Sequence, residues 1–214
     1  MKVVVFGATG TTGLLVVDAL LSQGHKVVAA VRSPDRLGDR ASRVEVCRVD
    51  LASAELSAAV SRALVGADAV ISCAGHDGQT PTTMMKGFAD VLVTAAHQNG
   101  VRRVVGLAGG GIVVVGDPPP HLAKRFLRAV MGVVANKMLF DTEAFGQTLL
   151  ASDLDVTISR PPRLTDGPVS GRVVAAETLR LGLFDSLSRV DLAAHLVAQL
   201  TKSSGRAPYV TTGR

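Results

Sequence analysis

The chain has no tryptophan, one tyrosine and only 3% aromatic residues among its 214. A core with so few rings must be filled by Val, Ala and Leu, which suits strands covered on both faces by helices. Cysteine is nearly absent too: Cys47 and Cys73 are the only two. Two thiols are too few for a disulfide framework and show no metal-ligand spacing, so no metal is expected. Both lie in apolar, strand-like runs, as small reduced core residues do. Charged residues make up 19%, against roughly 25% in an average soluble domain. The 23 Lys and Arg outnumber the 18 Asp and Glu, but the excess is scattered. That argues against a nucleic-acid partner and suits an anionic small ligand equally well. No uncharged apolar stretch reaches the ~18 residues of a membrane span, so no membrane partner is expected. The opening run Val3-Val4-Val5-Phe6 is too short for a signal-peptide core, and Gly7 interrupts it. A soluble, cytoplasmic protein is expected.

What is present is apolar: 47% of residues are hydrophobic, enough to bury a sizeable core and to exclude intrinsic disorder. Apolar runs alternate with helix-period segments. Strands are expected at 2–6, 26–31, 43–49, 69–72, 103–107 and 155–160. Helices are expected at 11–22, 53–65 and 83–98, with Ser53 capping the second. Gly24 sits where a helix C′ glycine belongs. The strands are apolar throughout rather than alternating, which predicts a doubly wound, mostly parallel α/β sheet. After residue 108 the texture changes. Ala108–Gly111 is glycine-rich and Pro118-Pro119-Pro120 breaks any element. Helices then read at about 121–133, 135–151 and 190–202, with a Gly/Pro-rich loop at 165–172 and a short final strand at 209–212. The last helix carries Leu192, Leu196 and Leu200 on one stripe. There is no internal repeat or linker, so residues 1–214 read as one nucleotide-binding domain with a small C-terminal substrate-side portion.

Gly7-Ala8-Thr9-Gly10-Thr11-Thr12-Gly13 directly follows the first strand and opens the first helix. Gly7 permits the tight turn, Gly10 lets backbone approach a pyrophosphate, and Gly13 allows close helix–strand packing. The N–H groups and positive dipole end of the helix then hold anionic phosphates. A tight βα turn alone would explain one glycine, but strand and helix flank this motif as a dinucleotide site requires. The end of the second strand selects the cofactor. An acidic residue there, about 20 residues on, binds the ribose 2′-hydroxyl in NAD-preferring proteins. Here the position is Arg32, followed by Ser33, with Arg36 one turn later. A guanidinium pairs bidentately with a 2′-phosphate, so NADP(H) is expected. Asp35 reads as a cap for the next segment. Asp50 and Leu51 end the third strand, where they suit the adenine amino group and ring. Cys73-Ala74-Gly75 ends the fourth with small residues beside the adenosine half.

With these residues in view, the sequence resembles the atypical short-chain dehydrogenase/reductases of the NAD(P)H-binding, NmrA-like type, and most of all the biliverdin-IXβ reductase/flavin reductase family. The likeness extends over nearly the whole chain. It rests on the glycine turn, on Val31-Arg32-Ser33-Pro34-Asp35-Arg36-Leu37, and on Asp68-Ala69-Val70-Ile71 with Gly75. Pro81-Thr82-Thr83 with Met85, Gly100-Val101, and Pro161-Pro162 with Asp166, Pro168 and Gly171 add to it. The resemblance implies that Gly7, Thr9, Gly10, Thr11 and Thr12 wrap the pyrophosphate. It places Arg32, Ser33 and Arg36 at the 2′-phosphate, and Asp50 and Leu51 at the adenine. Ala74, Gly75 and His76 would line the ribose and nicotinamide side, and Pro161 would lie over the nicotinamide.

The wider family often carries a Tyr-x-x-x-Lys pair and a strand-five serine. Met138, Thr142 and Gly109 stand at those positions here, and Tyr209 lies outside any such motif. Ketone reduction by a tyrosine acid is therefore demoted. A conjugated acceptor such as a flavin, quinone or tetrapyrrole delocalises the incoming charge and can take its proton from water. It needs an open apolar slot, which Gly109–Gly111 would leave wide. Among possible acids, His121 reads as a helix-start residue, Lys137 as a solvated charge and His195 as a solvent-edge residue. His76, at a strand end, is balanced between cofactor contact and plain loop. The basic amphipathic stretch 124–133 reads as a surface helix, a lid or a dimer face. The expectation is an NADPH-dependent reductase of a planar conjugated small molecule, monomeric or homodimeric. A cofactor-binding redox sensor without catalysis is the alternative, and an isomerase scaffold a weaker third.

Overall fold

A computed structural model describes residues 1–76, 83–117, 133–179, 181–182, 184–202 and 206–213. Six strands form one parallel sheet: β1 (Lys2–Phe6), β2 (Lys26–Val31), β3 (Glu45–Arg48), β4 (Ala69–Ser72), β5 (Arg103–Leu107) and β6 (Asp155–Ser159), in the order β3-β2-β1-β4-β5-β6. The expected fold class holds. Five of these ranges match the sequence reading to within one residue. The third is shorter, because a 3₁₀ segment (Pro34–Arg43) consumes Arg43.

The central strands are apolar on both faces because both faces are covered. Val3, Val5, Ala29, Ile71 and Val105 pack beneath α1 (Thr11–Ser22) and α5 (Arg189–Ala198). Val4, Phe6, Val28, Val70, Val104 and Ile158 pack beneath α2 (Leu56–Leu64), α3 (Met84–Asn99) and α4 (Val133–Ala151). The few aromatics gather on this second face. Phe88 lies edge-on to Phe6 at 4.9 Å and stacked with Phe145 at 6.0 Å, a pairing that adds to simple burial.

Helix starts differ from the sequence reading where turns intervene. The second helix begins at Leu56, not Ser53. Asp50 Oδ1 accepts from Ala52 N (3.0 Å) and Ser53 Oγ from Glu55 N (3.1 Å), so residues 50–55 are spent on a turn. The C-terminal portion holds three strands the sequence did not announce: β7 (Arg163–Thr165), β8 (Val173–Ala176) and β9 (Ser186–Ser188). β7 pairs with β9 in parallel, and β8 pairs antiparallel with the expected β10 (Tyr209–Thr212). The expected helix at 121–133 and its basic stretch lie outside the described residues up to position 132. Among the described residues no helix is long and apolar enough to cross a membrane.

Candidate functional site

The sheet order reverses between β1 and β4, and the crevice above their C-terminal ends is where open α/β sheets receive ligands. A groove of about 310 Å³ opens there. Gly7, Thr9 and Gly10 form one wall, Arg32, Ser33 and Arg36 one end, Asp50 and Leu51 the floor beside them, and Cys73, Ala74, Gly75 and His76 the opposite wall. Twelve of the residues singled out in the sequence thus meet in one place. Thr11 is exposed at the start of α1, whereas Thr12 is buried; neither lines the groove. Pro161 is buried and also stands apart from it. Phe6, Ala30, Val31, Val49 and Met84 line it too, and were missed because apolar residues at strand ends read as core. A second, shallow cavity of about 430 Å³ lies at the opposite edge of the sheet, among Lys2, Lys26, Arg43 and Glu45.

The glycine turn is built by close approach. Gly7 has φ +71°, and a Cβ there would fall 2.7 Å from the backbone of Cys73 and Ala74. At Gly13 a Cβ would fall 2.1 Å from the Gly7 carbonyl oxygen. Only glycine lets β4 and α1 close on the turn. Gly10 caps α1 with no side-chain acceptor, so the first N–H groups of the helix are not consumed by a cap. Ser33 likewise makes no capping bond to the 3₁₀ segment that follows it, and Asp35 lies in that segment's first turn. Arg32 and Arg36 are exposed at the rim, while the nearby Arg40 is committed to Asp18 by two bonds of 2.7 and 2.6 Å. Burial pushes the Cys73 thiol up to about 12, which keeps it protonated and unreactive at neutral pH.

The exits of β5 and β6 meet beside the groove. Gly110 N donates to Pro161 O at 2.7 Å, and a Cβ on Gly110 would strike both that oxygen and Leu181. A Cβ on Gly111 would fall 3.5 Å from Leu139, and of the three only Gly109 faces open space. The slot is therefore narrower than the run of glycines suggested. On α4, Met138 is half-buried and Thr142 Oγ donates to its carbonyl at 2.9 Å. Lys137 is exposed, as expected for a solvated charge; His121 lies outside the described residues.

Three polar features escaped the sequence reading. On α4, Asp141 accepts from Met85 N (2.8 Å) and Lys86 N (3.0 Å), capping α3, while Glu143 accepts from Val113 N at 2.8 Å. Arg160, fully buried, forms a two-pronged pair with Asp117 (2.5 and 3.0 Å), donates to Ala207 O, and lies 3.8 Å over the Tyr209 ring. Tyr209 is thus occupied away from the groove. His195 is 9% exposed, not at the solvent edge, and its Nε2 lies 3.2 Å from Ser159 Oγ. Burial pushes it down to about 4. The expectation failed because α5 turns this position onto β6, beside Leu192 and Leu196, rather than outward.

Strand order, glycine turn and groove define a dinucleotide-binding α/β protein. The chain belongs to the NAD(P)H-binding family, whose profile matches residues 7–203, and the resemblance to atypical short-chain dehydrogenase/reductases holds. An uncharacterised chloroplastic protein of Arabidopsis thaliana is 31% identical over 92% of this chain and 71% of its own length. An uncharacterised Mycobacterium tuberculosis protein is 34% identical over 51% of this chain, which spans only 12% of that much longer relative. Among solved structures, an anaerobillin reductase from Escherichia coli O157:H7 superposes with TM-score 0.77 at 19% identity, over 98% of this chain and 96% of that one. A short-chain dehydrogenase/reductase from Veillonella parvula in complex with NADP gives 0.72 at 16%, over 98% and 93%. At these identities the likeness is one of fold.

Proposed function

We propose that this chain is an NADPH-dependent reductase that passes hydride to a planar, conjugated small molecule without a Tyr–Lys acid pair. One observation carries the reading: a single groove joins the glycine turn, the Arg32–Ser33–Arg36 rim and the β4 exit, with an uncommitted glycine, Gly109, beside it. The fit to the cofactor is physical. Gly10 N donates to Gly7 O within the turn, so the N–H groups that open α1, at Thr11 and Thr12, are the ones that would hold the pyrophosphate. Arg32, Ser33 and Arg36 hold the 2′-phosphate, Leu51 packs on the adenine, and Ala74 and Gly75 let the ribose lie against backbone. Asp50 gives one carboxylate oxygen to its own turn, and the other would accept from the adenine amino group. Bound there, NADPH supplies the hydride.

The acceptor would lie by Gly109, with Pro161, Leu181 and Leu139 as apolar neighbours. The anaerobillin reductase and the NADP-bound relative support this reading by fold. We place the reaction in the cytoplasm, by a monomer or homodimer. Absorbance at the dihydronicotinamide band, with FMN, quinones and biliverdin as acceptors, tests it. NADPH oxidation with at least one acceptor is expected. Tight NADPH binding with no oxidation by any of them would move the protein to the redox-sensor alternative.

A further inference from the structure

His76 lines the groove, on the side the resemblance gives to the ribose and nicotinamide, but with no chemical step assigned to its ring. The side chain is 8% exposed, and its Nε2 stands 3.2 Å from Oδ2 of Asp141, a carboxylate 4% exposed. Asp141 cannot swing away, because two backbone N–H groups at the start of α3 hold its oxygens. The imidazole itself completes no hydrogen bond of good geometry among the described residues, at either nitrogen. Both ring nitrogens are also closed to solvent, so the ring is held in place by its surroundings rather than by bonds of its own. The turn of α4 that carries Asp141 also carries Leu139, which borders the glycine-rich exit of β5. His76 lines the groove at the exit of β4, the strand next to β5, beside whose exit the acceptor is proposed to lie.

We propose that His76, oriented by Asp141, donates the proton that accompanies hydride transfer. This rests on the reductase reading and replaces water as the acid. In the balanced step the acceptor gains a hydride, with its two electrons, from the reduced nicotinamide. It gains a proton from an imidazolium nitrogen of His76. The His76 N–H bond breaks as a bond forms between that proton and the acceptor's charge-bearing heteroatom. The nicotinamide is oxidised, the acceptor is reduced by two electrons, and the neutral ring recovers its proton from water admitted when the product leaves. Asp141 is a positioning residue: it fixes the orientation of the ring, as carboxylates do for catalytic histidines.

The test uses the full chain with three variants, His76→Gln, His76→Gly and Asp141→Asn, and reads NADPH affinity by fluorescence beside turnover. His76→Gln is expected to lower kcat by about 10²-fold while the NADPH Kd stays within about threefold. Imidazole added to His76→Gly should restore about tenfold of the loss, which a purely structural role would not allow. Asp141→Asn, whose single amide oxygen can keep only one of the bonds from Met85 N and Lys86 N, should lower kcat by about tenfold without weakening NADPH, with its melting temperature measured alongside. A His76→Gln enzyme with wild-type kcat overturns the proposal. So does a kcat loss matched by an equal loss of NADPH affinity with no imidazole rescue, which would make His76 a cofactor contact. An Asp141→Asn enzyme with full turnover removes Asp141 from the scheme. Failure of the wild type to reduce any acceptor while binding NADPH strikes the reductase reading itself, and this inference with it.

Discussion

Arg32, Gly10 and Gly13 separate ligand chemistry from chain geometry. Arg32 stands at the rim of the groove, so Arg32→Ala should weaken NADPH by about 1.5–3 kcal/mol, the range for a charged hydrogen bond, and leave NADH nearly unchanged. Equal losses in fluorescence titrations of both cofactors would refute the 2′-phosphate role. At Gly10 an added Cβ meets only the Gly7 oxygen, at 3.3 Å. Gly10→Val should therefore melt near the wild-type temperature yet lose NADPH binding, since the side chain projects where the pyrophosphate lies. Gly13→Ala drives a Cβ to 2.1 Å from backbone and should instead lower the melting temperature outright. If calorimetry ranks these two variants the other way, the turn is read wrongly.

At the scale of elements, side chains tie the loops around the site to the helices behind them. Asp191 on α5 is 2% exposed and accepts from Ser170 N and Oγ, Gly171 N and Ser188 Oγ. Burial works against its charge, but those hydrogen bonds hold its carboxyl below the usual range. It thereby pins the loop after β7 to the start of α5. Asp191→Ala should cost about 1.5–3 kcal/mol in urea unfolding, the worth of hydrogen bonds to a charged group. The largest rise in amide exchange should appear at 166–171. An exchange pattern unchanged in that loop would show that Asp191 does not hold it.

For the molecule as a whole, the buried polar pairs decide how stability responds to charge. Arg160 joins β6, the 112–117 segment and the chain before β10. Asp117→Ala leaves its guanidinium buried without a counter-charge, which should cost about 3–5 kcal/mol. A melting temperature within a degree or two of the wild type would disprove that. His195 sets an acid limb. Its folded value of about 4 lies below its ordinary 6.5, so the unfolded chain takes up the proton first as pH falls. Its contribution is complete above pH 6.5 and drains away toward pH 4. Urea midpoints should therefore fall across that window in the wild type and fall less in His195→Asn, which cannot charge. Parallel curves for the two proteins would rule the histidine out as the source.

The six-strand sheet and the groove around the glycine turn were legible because their causes are local. An apolar run such as Val3–Phe6 specifies a strand by itself, and Gly7 and Gly13 specify a turn no other residue can make. Arg32 and Asp50 could be placed from their distance to that turn, since each follows a strand whose end falls on the ligand edge. What the sequence could not determine was which distant polar groups share an interior. Asp141 reaches Met85 across 56 positions, Arg160 reaches Asp117 across 43, and Ser159 meets His195 across 36. None of these pairs leaves a periodic trace, because each joins side chains from separate elements or loops and nothing in either local run marks its partner. Only the packing of α4 and α5 on opposite faces of the sheet decided that His195 is buried, that Gly110 is closed against Pro161, and that His76 stands against a fixed carboxylate. Burial and partner are properties of the assembled chain, whereas strand, turn and charge at a strand end are properties of a few consecutive residues.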